Sequence, residues 1–255
     1  DYSACKKIVK EYKPDWIINC GAYTSVDGAE KDIELSSKIN SFAPKAFAEV
    51  INEINGNLLH LSTDYVFDGE QNYAYEVHQK KNPISQYGKS KALGEELIEK
   101  NIKDIENATI LRTSWVISPI GRNFLLTMIK LFKEKKIIKV VSDQIGSPTS
   151  AHNLAKVCWN IVGVKSNRNL TEKLPLHMHY SDAGVASWYD LAVCIQDSLN
   201  EISLFKNETE IIPIKTFELD SKTKRPYYSV LDSDQTMKLL KLKPIHWKKG
   251  LLEIV

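Results

Sequence analysis

Three short apolar runs, each leading into a polar loop and each followed by a helical pattern, restrict what this chain can fold into. Asp15-Trp16-Ile17-Ile18-Asn19-Cys20 follows a Lys-Pro break, Leu58-Leu59-His60-Leu61-Ser62 follows Asn55-Gly56, and Ala108-Thr109-Ile110-Leu111-Arg112-Thr113 is the third. Runs this short and this apolar are what parallel strands covered on both faces require. Between the first two, Ala29, Ile33, Ile39, Ala43, Phe47, Val50 and Ile54 recur at helical spacing, which predicts a helix over 28–54. Helices are predicted over 88–100 and 123–134, and a strand over 137–141. The alternation predicts an α/β fold: a doubly wound parallel sheet with right-handed crossovers and helices on both faces.

After about residue 142 the rhythm loosens. A strand over 176–180 mixes with helices over 151–163 and 187–200. The predicted division is a nucleotide-binding core over 1–142 and a smaller lobe drawn mainly from 143–255, interleaved with the core. Ligands in such sheets sit beyond the carboxyl ends of the strands. The segments to search are therefore those just after residues 20, 62 and 113.

Composition narrows the function classes. A formal net charge of +2 over 255 residues gives no argument for nucleic acid. No apolar run reaches the length of a membrane span. Cys5, Cys20, Cys158 and Cys194 match no metal or disulfide spacing, so no metal is expected and a reducing cytoplasm is the plain reading. Basic side chains gather in 221–250, against only Asp232 and Asp234. That cluster reads either as a solvated lysine face or as a basic lip over a small polyanionic substrate.

The three loops are unusually polar: Gly21-Ala22-Tyr23-Thr24-Ser25-Val26-Asp27, Ser62-Thr63-Asp64-Tyr65-Val66-Phe67-Asp68-Gly69 and Thr113-Ser114-Trp115-Val116. Between the last two lies Tyr87-Gly88-Lys89-Ser90-Lys91, at the start of a predicted helix. One helical turn puts Tyr87 and Lys91 on one face. A tyrosine, ordinarily near ~10, is a poor acid–base group at neutral pH. An ammonium ~4 Å away is worth up to about 4 kcal/mol to the phenolate, so Lys91 is expected to lower Tyr87 by as much as ~3 units. Thr63 is placed to hold the same substrate oxygen. Alone the pair is weak, since Tyr2 and Lys6 repeat its spacing without any such context.

In order, Ser62-Thr63-Asp64-Tyr65-Val66-Phe67, Tyr87-Gly88-x-x-Lys91, Arg112-Thr113-Ser114-Trp115-Val116 and Asp143-Gln144-x-Gly146-x-Pro148-Thr149 resemble the dTDP-4-dehydrorhamnose reductase family. Val26-Asp27-x-Ala29-Glu30, Asn40, Trp188-Tyr189 and Arg225-Pro226-x-x-Ser229 add to the resemblance. It implies a Rossmann-like extended short-chain dehydrogenase, reducing a 4-keto-6-deoxy sugar nucleotide with NADPH, or NADH as the alternative donor. By position it implies Thr63, Tyr87 and Lys91 as the catalytic trio. It further implies Gly21, Ala22, Tyr23, Ser62, Tyr87 and Lys91 beside the cofactor, and Val26, Asp64, Tyr65, Trp115 and Arg225 on the substrate side. The nucleotide sugar is the expected partner, and a homodimer is left open.

Cys20-Gly21, Gly28 and His78 depart from the family pattern without removing a catalytic group. A non-catalytic relative, the beta subunit of methionine adenosyltransferase, shares the Ser-x-Asp-Tyr-Val-Phe-Asp-Gly and Tyr-Gly-Lys-x-Lys segments. The Arg112–Val116 strand end and Asp143-Gln144 favour the reductase. No G-x-x-G-x-x-G occurs in the chain, and its start resembles the family after its third strand. The first βαβ portion is accordingly expected to be missing, leaving an exposed apolar face, and residues 1–255 alone are expected to bind NADPH very weakly, which a fluorescence titration would measure, and to turn over no substrate.

Overall fold

The computed structural model describes residues 1–167, 173–201, 208–221 and 223–255. Its first half runs α1 (Tyr2–Tyr12), β1 (Trp16–Asn19), α2 (Val26–Lys31), α3 (Ile33–Ser37), α4 (Ala43–Ile54), β2 (Asn57–Thr63), α5 (Gln86–Asn101) and β3 (Ala108–Thr113). Then follow β4 (Val116–Ile117), α6 (Phe124–Glu134), β5 (Ile137–Val141), β6 (Ile145–Gly146), β7 (Thr149–Ser150) and α7 (Ala151–Ser166). The last elements are β8 (His177–His179), β9 (Ala186–Ser187), α8 (Trp188–Glu201), β10 (Glu210–Ile214), α9 (Asp234–Leu239) and α10 (Trp247–Leu252).

The central sheet has the order β1-β2-β3-β8 and is parallel throughout. Side chains alternate across it, so neighbouring leucines of β2 serve different cores. Leu59 joins Leu111, Met178 and the α7 residues Leu154, Val157 and Ile161 on one face. Leu58 joins Ile110, Ala48, Ile51 and Ile98, from α4 and α5, on the other. Helices therefore cover both faces, as the apolar runs require. A third core gathers Leu125, Met128, Phe132, Val140, Leu191, Ile195 and Trp247 from the later elements. No helix among the described residues is long and apolar enough to cross a membrane.

One element departs from expectation. The helix expected over 28–54 is broken into α2, α3 and α4, with a wide π turn over Lys38–Phe42 joining the last two. Buried Asn40 sits in that turn. Its amide accepts from Tyr23 N at 2.8 Å, and donates to Tyr23 O at 3.0 Å and Ser90 Oγ at 2.9 Å. The break thus pins the loop after β1 to α5.

Register sets the site. Thr63 and Thr113 are partners at the ends of β2 and β3. The loops that leave them emerge side by side.

Candidate active site

At the end of β2, Thr63 caps a short 3-10 turn over Asp64–Val66. Its hydroxyl donates to Asp64 Oδ1 at 2.9 Å and accepts from Tyr65 N at 3.2 Å. Ser85 caps α5 by accepting from Gly88 N at 3.1 Å. A Cβ at Gly88 would lie 2.2 Å from the Tyr65 carbonyl oxygen, so only glycine lets the first turn of α5 lie against that loop. Tyr65 and Tyr87 consequently meet edge to face, 5.5 Å between ring centroids.

Two cavities share this corner. One, about 490 Å³, is walled by Ile18, Cys20, Ala22, Leu61, Lys91, Leu154 and Cys158. The other, about 500 Å³, is walled by Val26, Thr63, Asp64, Tyr65, Trp115 and Arg225. Thr24, Ser62, Tyr87, Thr113 and Val116 belong to both. Of the residues expected beside the cofactor, Ala22 and Lys91 line only the first chamber, while Ser62 and Tyr87 stand on the boundary; those expected on the substrate side line only the second. Gly21 and Tyr23 line neither. Gly21 N donates to Asn19 Oδ1, and Tyr23 is held by Asn40.

The electrostatics correct one expectation. Burial holds Tyr87 well above the ordinary tyrosine value; the Thr63 hydroxyl pulls it down, while Asp64 and Tyr65 push it further up. The side chains that act on it are thus Thr63, Asp64 and Tyr65. Lys91 reaches past the tyrosine to the backbone of β2, where Nζ donates to Leu61 O at 2.6 Å and lies 3.2 Å from His60 Nε2. Burial lowers Lys91 to about 8, against the opposing pull of Glu95 and Cys20. A shared helix face brought the two side chains into one region without making them partners.

Behind the corner lies a buried ionic network. Ser62 Oγ donates to Glu95 Oε1 at 2.5 Å, and Arg112 Nη2 donates to Glu95 Oε2 at 2.8 Å. Arg112 Nη1 also donates to Val77 O at 3.0 Å. Burial would raise Glu95, but Arg112, Lys81 and Ser62 hold it down to about 2. Glu95, Glu99 and His177 place ligand atoms within 4.8 Å of one another. Arg112 and Lys81 already balance those carboxylates, so the cluster reads as ion pairing.

On the substrate side, Arg225 donates to Asp27 Oδ2 at 2.7 Å, and its Nε is buried without a partner. The segment bearing it is tied down by Ile145 N to Tyr227 O at 2.7 Å and Ser229 N to Ile145 O at 2.8 Å. Of the basic residues of 221–250, Arg225 lines this chamber, and Lys224 lines an adjoining cleft with Asp27 and Glu30. Lys222 lies outside the described residues, and Lys248 lines a separate groove. Among the described residues, the basic lip reduces to Arg225 and its neighbour. Trp115 adopts a left-handed backbone (φ 46) and stacks on Trp188 at 3.6 Å. A Cβ at Gly146 would meet the Trp115 ring at 2.4 Å, so the glycine makes room for the stack.

Arg122 and Trp188 also line the chamber and were not singled out from sequence as site residues. The signal for Arg122 was available: a cation shortly after Val116, in the loop that continues from the third strand end.

Burial raises Asp64 from 3.8 to about 6, against the Ser229 and Thr63 hydroxyls. The folded state therefore keeps this proton longer than the unfolded chain does, and stability falls as pH rises from about 4 to about 6. Asp64→Asn should lack that fall. Between pH 4 and pH 7, urea unfolding should move the gap between the two proteins in favour of the variant by on the order of 3 kcal/mol.

Comparison with known proteins bears on the family and the fold. A family model described as the RmlD substrate binding domain matches residues 1–255. The Bacillus subtilis spore coat polysaccharide biosynthesis protein SpsK is 40% identical, over 95% of this chain and 79% of its own length. A dTDP-4-dehydrorhamnose reductase from Aggregatibacter actinomycetemcomitans is 36% identical, over 97% of this chain and 82% of its own. The crystal structure of dTDP-4-dehydrorhamnose reductase from Bacillus anthracis in complex with NADP has a TM-score of 0.89 at 32% identity, covering 100% of this chain and 84% of that one. Fold, ordered motifs and relatives lead to one assignment: the chain belongs to the RmlD substrate binding domain family.

Proposed function

We propose that this protein acts in the NADPH-dependent reduction of a 4-keto-6-deoxy sugar nucleotide, dTDP-4-dehydro-L-rhamnose to dTDP-L-rhamnose. The observation that carries it is the meeting of two chambers at Tyr87, with Lys91 on one side and Thr63 on the other. The matching relatives named as dTDP-4-dehydrorhamnose reductases support the sugar and base, and the NADP complex supports the cofactor.

The residues present fit the nicotinamide half of such a cofactor. An apolar wall of Ile18, Leu61 and Leu154 faces buried Lys91, and the Thr113 hydroxyl on the shared floor is buried without a partner. Ala22, Ser62, Tyr87 and Lys91 would hold it there; NADPH, when bound, supplies the hydride.

The chain's own part is proton transfer and positioning. The Tyr87 O–H bond breaks as its proton passes to the C4 oxygen, leaving a phenolate. Thr63 holds that oxygen by turning its O–H to it from Asp64 Oδ1. Val26, Asp64, Tyr65 and Trp115 shape the sugar end and Arg225 serves the diphosphate; from residues 143–255, Trp188 and Arg225 line this chamber. A regulatory, non-catalytic role is disfavoured by the same corner, where Thr63, Tyr87 and Lys91 meet across the two chambers.

Incubating the full-length protein with dTDP-4-dehydro-L-rhamnose and NADPH, and following NADPH absorbance, tests the reading; an unchanged signal with intact substrate overturns it. Arg225→Ala should raise KM by roughly 10-fold or more with a smaller change in kcat, because a charge-assisted phosphate hydrogen bond is worth about 1.5–3 kcal/mol. Unchanged affinity would return Arg225 to the role of Asp27's ion-pair partner.

A further inference from the structure

The surroundings of Lys91 fix more than its place. Gly21 N–H can only donate, and it donates to Asn19 Oδ1 at 3.2 Å. That settles which end of the Asn19 amide faces inward: its Nδ2 lies 2.9 Å from His60 Nδ1. An amide nitrogen donates, so Nδ1 must accept, and the single proton of neutral His60 sits on Nε2. His60 is fully buried, and burial lowers it far below the ordinary histidine value, so the ring is neutral. Nε2–H then points at Lys91 Nζ, 3.2 Å away. An ammonium has no lone pair to accept that hydrogen; a neutral amine has one.

We propose that His60 is a positioning residue that couples the charge of Lys91 to its location. As a neutral amine, Nζ is held at β2, donating to the Leu61 carbonyl and accepting from His60 Nε2–H. On taking a proton from solvent it loses its lone pair, meets Nε2–H donor to donor, and turns from β2 toward the chamber shared with Tyr87. The ionisable groups facing Lys91 are His60 from β2, Glu95 and Tyr87 from its own helix, and Cys20 after β1. Glu95 and Cys20 both favour the ammonium. His60 opposes it through the geometry of Nε2–H, in addition to the burial that lowers the lysine to about 8. The bearing of this on catalysis rests on the reductase reading; the coupling itself requires neither cofactor nor substrate.

The test is nitrogen NMR on the protein labelled at histidine and lysine, without ligand. His60 should show a pyrrole-type Nε2 bearing hydrogen and a bare, pyridine-type Nδ1, unchanged from pH 6 to pH 9. A hydrogen on Nδ1 overturns the proposal. His60→Gln replaces the fixed donor with an amide that can turn its oxygen to the ammonium. The Lys91 titration should then move up by a unit or more, a tenfold or greater shift in the protonation ratio. If His60→Gln folds and Lys91 titrates as before, the proposal fails. If it does not fold, the wild-type tautomer alone decides. Because neither readout involves turnover, failure here is separable from failure of the reductase reading.

Discussion

Tyr87→Phe should lower turnover by roughly 10²-fold or more while leaving the KM for the nucleotide sugar nearly unchanged. The phenylalanine keeps the ring that packs edge-on against Tyr65 and removes only the hydroxyl at the boundary of the two chambers. Because Tyr87 is held above the ordinary tyrosine value, it carries its proton throughout the neutral range and is ready as the acid. Tyr65 is the control. Burial and Asp64 raise it to about 12, so it too is protonated, but it lines only the substrate-side chamber. Tyr65→Phe should therefore act on KM more than on kcat. Steady-state kinetics on both variants decide the assignment, and wild-type turnover from Tyr87→Phe would remove Tyr87 from the chemistry.

The largest effect on stability should come from Arg112. Its side chain and that of Glu95 are 3% and 0% exposed, and Glu95 accepts from Arg112 Nε and Nη2. Arg112→Met leaves a carboxylate inside the protein with Lys81, at 3.4 Å, as its remaining ion-pair partner among the described residues. Breaking one side of such a pair costs about 3–5 kcal/mol, whereas replacing both partners costs far less. Urea unfolding of Arg112→Met, and of the double variant with Glu95→Gln, should show that loss and its partial recovery.

The pH dependence has a definite sign. Glu95 is depressed to about 2 in the fold, so the stability it contributes is present above its unfolded value and lost as pH falls toward about 2. The deficit of Arg112→Met should thus be greatest at neutral pH and shrink as acid neutralises the stranded carboxylate. A loss below about 1 kcal/mol at pH 7 would mean that Lys81 alone suffices.

The strands were legible because burial on both faces writes itself as an apolar run. Trp16–Asn19, Asn57–Thr63 and Ala108–Thr113 lie within a residue or two of where the pattern placed them. The long helix was not legible as a broken one, since a π turn adds little to the spacing of Ile33, Ile39 and Ala43 that a single helix would not also show. Tyr87 and Lys91 were identifiable as a pair, but helix geometry fixes Cβ atoms, and a lysine has four more bonds with which to choose a partner. It chose the Leu61 carbonyl. Arg112 illustrates the same limit: the motif marked it, while its partner Glu95 is found only once β3 and α5 are packed.

The stacked indoles of Trp115 and Trp188 have an optical consequence. At 3.6 Å and 6° between planes, their electronic transitions are coupled, and both rings line the substrate-side chamber. The near-ultraviolet circular dichroism of this protein thus carries a native, label-free signal from the wall of that chamber. Whatever enters and displaces one ring against the other is registered there in absorption and emission, before any bond is made or broken.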